Sequence, residues 1–403
     1  MKRSLALFVF FTFPLHAEMR VSTDFDGGNA EVVKLDQASQ TVRIMPKLHE
    51  ARGWPCWWYL KLEGLTLGRP VQLQVQAQTK PFRDSTVLPA AWSQPKHAWL
   101  SSDGTSWTPS EAGARGDDKT MTYTLRPKTQ SLHVAWGPPF LPADAETLLA
   151  ELTATLPASK RFELSKTRDG RAVHGIRIGD DKARHQVWIG ARQHAWETGG
   201  SQVGRGFIRW YASDEAKTLR AKTCLHFIPI MDVDNVALGA GGKEAVPRDH
   251  NRDWADAPIY PEVAAAQRMI SEIHQKHGLD AYIDLHNPGA NDPIFFFGPF
   301  AFERMTGTQQ RNYSRWIELA AENITSPYPV EPKYRFATYV TDEEERSRMS
   351  SGWVRKHTGD FTLSVTLETG WNSPLMSVEG YSNVGIGLGR ALRDYLEEDP
   401  RRP

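Results

Sequence analysis

Apolar and polar positions follow two different rhythms along this chain. From residue 18 to about 140 the hydrophobic runs are short and alternate with polar residues. Val42-Arg-Ile-Met45, Trp57-Trp-Tyr-Leu60, Val71-Gln-Leu-Gln-Val75 and Thr122-Tyr-Thr-Leu125 have the period of two expected of half-buried strands. Gly, Pro and Asp breaks separate them, and no stretch has helical periodicity, so this half predicts an all-β sandwich. Near Pro138-Pro139 the rhythm changes. Leu148, Leu149, Leu152 and Leu156 line one side of a helix over 143–156. Short buried strands at 187–190, 224–228, 281–285 and 361–367 then alternate with helices at 261–277, 308–323 and 382–397. Pro261 opens one of these helices and Gly278 follows its end. The prediction is an α/β domain over 141–403 with a mixed, mostly parallel sheet flanked by helices. A helix over 198–211 is also expected, although Gly199, Gly200, Gly204 and Gly206 weaken it.

The first 17 residues differ from both halves. Lys2 and Arg3 precede the apolar run Leu5–Phe13, and the small residue Ala17 follows. That matches a cleaved signal peptide and predicts an exported, periplasmic or secreted protein. The run is about half the ~20 residues that a membrane span needs. Lys plus Arg and Asp plus Glu each total 48, which leaves no electrostatic footprint for nucleic acid. Cys56 and Cys224 lie in different halves and read as two free buried thiols. Seven of the 14 tryptophans fall before residue 140. They suit either a sugar-binding face or, preferably, a core and an inter-domain seam.

Chemistry gathers at strand ends, where α/β sheets place their ligands. His194-Ala-Trp-Glu197 follows the strand 187–190 and can offer an imidazole and a carboxylate to one metal ion. Tyr282, Asp284 and His286 share one face of the next strand, and His286 ends it before Asn287-Pro288-Gly289. Together His194, Glu197 and His286 make a His₂Glu set, a catalytic zinc arrangement with an open fourth position. Between them, Asn251-Arg252 joins an amide to a guanidinium able to grip a carboxylate through two parallel hydrogen bonds. Glu368 ends an alternating strand on its polar face, where it could take a proton from activated water.

The ordered set His194-x-x-Glu197, Asp249-His-Asn251-Arg252, Asp284-Leu-His286 and Leu367-Glu368 resembles the zinc carboxypeptidases of the M14 type over about residues 143–395. Within them it is most similar to the cytosolic carboxypeptidase branch, which carries a β-sandwich before the catalytic domain. Asp24-Phe-Asp-Gly-Gly-Asn29, Trp57-Trp-Tyr-Leu60, Val134-Ala-Trp-Gly-Pro-Pro139 and Asp234-Asn235-Val236 look like divergent landmarks of that branch. The resemblance implies one Zn²⁺ on His194, Glu197 and His286. It implies Asn251 and Arg252 on the substrate's terminal carboxylate, Glu368 as general acid/base, and Asp249 orienting a ligand imidazole. Two departures stand out. The family's upstream arginine, which polarises the scissile carbonyl, is replaced in a stretch reading Gly241-Gly-Lys-Glu244, leaving Lys243 or Arg248 as substitutes. The family's tyrosine has only Tyr339 as a candidate. The expected substrate is a peptide or peptide-like molecule with a free carboxylate. Peptidoglycan stem peptides and N-acyl amino acids are alternatives on the same site, and non-catalytic glycan binding is an alternative of another kind.

Overall fold

A computed structural model describes residues 18–401. The expected signal peptide lies outside the described residues. The first half folds into two five-stranded sheets. One has the spatial order Arg20–Ser22, Tyr59–Glu63, Ser131–Ala135, Trp99–Ser101 and Thr108–Pro109. The other runs Glu31–Asp36, Thr41–Met45, Val71–Val75, Met121–Leu125 and Ala114–Arg115. Val42, Ile44, Val71, Leu73, Val75, Tyr123 and Leu125 all point into one core while the intervening residues stay partly exposed, as alternation demands. The run at 57–60 becomes strand only from Tyr59, because Trp57 and Trp58 are spent on packing: their indole N–H groups donate to Gly27 O and Ser93 O.

The second half is built on an eight-stranded mixed sheet. Its order is Ser159–Lys166, Ala172–Ile178, Thr223–Ile228, His185–Ala191, Ala281–His286, Leu363–Glu368, Phe295–Gly298 and Arg335–Phe336. The four central strands, Thr223–Ile228 to Leu363–Glu368, are mutually parallel. They are buried along their whole length, which is why they read as near-continuous apolar runs. Helices cover both faces of the strand Ala281–His286. On one face Leu285 meets the helix Thr198–Ala212, and on the other Asp284 accepts from Ser350 of the helix Ser350–His357.

The glycine-rich segment 198–212 is a full helix after all. Its glycines are sites of close approach. A Cβ on Gly206 would lie 2.4 Å from Ser382 Cα in the helix Val378–Glu397, and one on Gly200 would lie 2.4 Å from Leu285 O. The helix Val378–Glu397 begins four residues before its predicted start, because Ser377 caps it by accepting from the Gly380 amide. Cys56 and Cys224 are free and buried. Among the described residues no helix is long and apolar enough to cross a membrane.

The two halves share a tryptophan seam. Trp196 and Trp371 of the second half belong to the sandwich's own core cluster. Trp136 lies 5.4 Å from Trp196 and 4.4 Å from Trp371, ring centre to ring centre. Six of the seven early tryptophans are buried and Trp92 is partly exposed, as a core and an inter-domain seam require.

Candidate active site

Parallel register brings the chemistry together. The strands His185–Ala191, Ala281–His286 and Leu363–Glu368 lie side by side, with His286 opposite Glu368. Their carboxyl ends therefore carry the turn bearing His194 and Glu197, then His286, then Glu368. His194, Glu197 and His286 are buried, and one donor atom from each lies within 4.8 Å of the others. His194 Nδ1 is 2.8 Å from Glu197 Oε1, and His286 Nδ1 is 2.6 Å from Glu197 Oε2.

The opposite edge of each imidazole meets a carboxylate. His194 Nε2 faces Asp249 Oδ1 at 3.6 Å, and His286 Nε2 faces Asp284 Oδ2 at 3.0 Å. Asp284 is further held by Gln193 and Ser350, and Trp254 donates to Gln193 Oε1 at 2.6 Å. This arrangement leaves both Nδ1 atoms to a metal, each ring being oriented from behind. The electrostatics agree. Burial opposes charge on Glu197, but the two imidazoles outweigh it and hold its carboxyl well below the usual range. Asp249 is held low in the same way by His194, Arg252 and Lys243. Two imidazoles and one carboxylate at this spacing fit Zn²⁺, which is the cofactor of this site.

In front of the ligands lies a cavity of about 1080 Å³. Glu197, Glu368, Arg252, Lys243 and Tyr339 all line it, and so do Trp54, Arg83 and Trp92 of the sandwich. Burial, reinforced by Glu197, pushes the Glu368 carboxyl up to about 8, against the pull of His286 and Lys243. Its Oε2 has no hydrogen-bond partner among the described residues. Six cations line the cavity. Arg83, Arg248, Arg252, Arg335 and Arg348 are ion-paired to Glu244, Asp253, Glu345, Glu331 and Glu344. Lys243 has no ion pair among the described residues; its Nζ sits 5.4 Å from the centre of the Trp54 ring.

Asn251 lies behind the wall. Its Oδ1 accepts from the Ser350 amide at 2.8 Å, and its Nδ2 is 3.4 Å from His286 Nε2. The first contact ties Asn251 to the start of the helix Ser350–His357, and the second sets it beside His286. Arg252 does face the cavity, and so does Tyr339. Sequence reasoning missed the orienting role of Asp284 and the cavity positions of Trp54, Arg83 and Trp92. The Asp-x-His spacing on a strand was a signal for the first. Nothing local signals the others, since they come from another domain.

Fold and site together define a single-zinc α/β hydrolase. A family described as zinc carboxypeptidase matches residues 145–373, more than half of the chain, and the cytosolic carboxypeptidase N-terminal domain matches residues 21–136. The chain belongs to the zinc carboxypeptidase family, with the N-terminal domain of the cytosolic branch. It is 25% identical over 309 residues to an uncharacterised protein of Zymomonas mobilis, covering 75% of this chain and 77% of that one. It is 25% identical over 242 residues to cytosolic carboxypeptidase 6 of Caenorhabditis elegans, covering 54% of this chain and 50% of that one. The match thus spans only about half of that relative. A metallo-carboxypeptidase from Burkholderia cenocepacia superposes with a TM-score of 0.78 at 22% identity, covering 94% of this chain and 99% of that one. One from Pseudomonas aeruginosa, in complex with (2-guanidinoethylmercapto)succinic acid, superposes with a TM-score of 0.75 at 18% identity and the same coverage. These two show the shared fold.

Proposed function

We propose that this protein is an exported metallocarboxypeptidase that hydrolyses the last peptide or isopeptide bond of a substrate with a free terminal carboxylate. One observation carries the reading: Glu197, Glu368, Arg252 and Lys243 all open onto one cavity. When bound by His194, Glu197 and His286, zinc supplies a Lewis acid that acidifies water and polarises a carbonyl. Glu368 takes the proton of the attacking water and returns it to the nitrogen of the leaving amine. Arg252 grips the terminal carboxylate. One of its N–H groups is committed to Asn251 O and one side to Glu345, which leaves donors for a bidentate contact. Asn251 holds Arg252 through its backbone oxygen, and Tyr339 lines the same cavity as Arg252.

Lys243 is the better substitute for the missing upstream arginine. Among the described residues it lacks a carboxylate partner, whereas Arg248 is held by Asp253 at 2.7 Å and by Ala257 O at 3.1 Å. In this role its ammonium faces the oxygen on which negative charge develops. Export rests on Lys2, Arg3 and the apolar run Leu5–Phe13. It predicts a mature protein, recovered outside the cytoplasm, that begins near Glu18.

The Glu368→Gln variant tests the catalytic assignment. Zinc content should stay at one per chain while kcat falls by about 10²–10⁴-fold. Undiminished hydrolysis by that variant would remove Glu368 from its role. The substrate class is read from a panel of peptides varied at the C-terminus, including D-amino-acid and γ-linked stems.

A further inference from the structure

The loop from Gly239 to Asp249 brings Lys243 to the cavity and Asp249 to the back of His194. Its shape is dictated largely from the sandwich. Gly242 N donates to Arg52 O at 2.9 Å, Trp54 N to Lys243 O at 3.0 Å, and Val246 N to Ala51 O at 3.0 Å. These bonds alternate in direction, like a short rung-by-rung pairing between segments 51–54 and 242–246. Glycines let the two backbones meet. A Cβ on Gly53 would lie 2.2 Å from Lys243 O, and one on Gly241 would lie 2.1 Å from Trp54 O. On its other side the loop touches the ligand turn, where Trp196 N donates to Gly241 O at 3.0 Å.

One charged pair extends the clamp. Arg83 Nη2 lies 3.1 Å from Glu244 Oε2. The backbone amide of Glu244 donates to Asp249 Oδ2 at 2.9 Å, leaving Asp249 Oδ1 toward His194 Nε2. A continuous set of contacts therefore runs from a sandwich arginine to the ring of a zinc ligand. We propose that the N-terminal sandwich is a working part of the catalytic centre. Through Ala51–Trp54 and the Arg83–Glu244 pair it sets the position of the 239–249 loop, and so of both Asp249 and Lys243. Arg83 and Glu244 are positioning residues; neither needs to touch the reacting atoms.

The proposal rests on the zinc reading of the site, but its test need not use turnover alone. Arg83→Gln, Glu244→Gln, the double variant and Arg83→Lys are made in the full chain. Two quantities are measured: the rate of zinc loss to a chelator, and kcat and KM on a C-terminal peptide. The pair is partly exposed, so its effect should be modest, with zinc released roughly three- to tenfold faster and kcat lowered several-fold at nearly constant KM. The double variant should be no worse than the worse single one, because both break one contact. Arg83→Lys should recover most of the loss. Gly53→Ala, which drives a methyl into Lys243 O, should exceed tenfold in both readouts. Wild-type zinc retention and kcat in Arg83→Gln, or additive effects in the double variant, would overturn the proposal. Should Gly53→Ala not fold, the Arg83 series decides alone. Faster zinc loss in a protein whose wild type cleaves no peptide would instead sink the carboxypeptidase reading and leave this one standing.

Discussion

At the scale of single residues, the site depends on side chains that stand behind the metal ligands. Asp249 and Asp284 each stand against the far nitrogen of a ligand imidazole. Replacing either with Asn keeps the volume but removes the charge that makes the ring a strong ligand. Zinc affinity should fall about 10–100-fold, as read by competition with a chelator. His226 gives a prediction about stability rather than catalysis. It is buried in the strand Thr223–Ile228 and stacked 5.9 Å from Trp188. Burial, helped by Arg177, pushes its imidazole down to about 4. The unfolded chain then binds more protons than the folded one between about pH 6.5 and pH 4. Its favourable contribution is complete above pH 6.5 and is lost as pH falls through that window, by about 3 kcal/mol at most. Denaturation by urea at pH 7 and pH 4.5 should show a smaller loss of stability for His226→Phe than for the wild type.

At the scale of elements, glycines separate what propensity favours from what packing requires. The helices Thr198–Ala212 and Val378–Glu397 approach so closely that a Cβ on Gly385 would lie 2.2 Å from Val203 O and 2.4 Å from Phe207 N. Helix propensity alone favours Ala over Gly by about 1 kcal/mol. Overpacking against immovable backbone costs about 3 kcal/mol. The second term wins, so Gly385→Ala should destabilise by about 2 kcal/mol, measured as a lower urea midpoint at unchanged slope. The same reasoning explains why Gly199, Gly200, Gly204 and Gly206 argued against a helix that nonetheless forms. In contrast, Pro261–His277 carries its own start and stop, and its observed limits are the predicted ones.

At the scale of the whole molecule, the two halves are one structure around the cavity. Trp196 and Trp371 complete the sandwich core, and Trp54, Arg83 and Trp92 complete the cavity wall. Asn29 Nδ2 donates across the seam to Gly239 O at 2.6 Å. A chain reduced to residues 141–403 would expose this aromatic seam to water. It should aggregate, or melt well below the full chain, by size-exclusion chromatography and thermal denaturation. A monodisperse fragment with the full chain's melting temperature would show that the seam is dispensable.

Local rules were enough to reveal the rhythm of strands and helices, the change of grammar near residue 140, and the strand-end positions of His194, Glu197, His286 and Glu368. Each follows from neighbours a few residues away: alternation places His286 on the face of Asp284, and the turn after the strand His185–Ala191 places His194 and Glu197 together. What only the tertiary structure decided is the company those residues keep. The parallel register set His286 beside Glu368 across 82 positions of sequence. Packing turned Asn251 inward and, among the described residues, left Lys243 without the ion pair that holds Arg248. The sandwich reached the site through three backbone bonds and one ion pair. Contacts between distant segments leave no periodic trace in either segment, because each partner satisfies only its own local pattern.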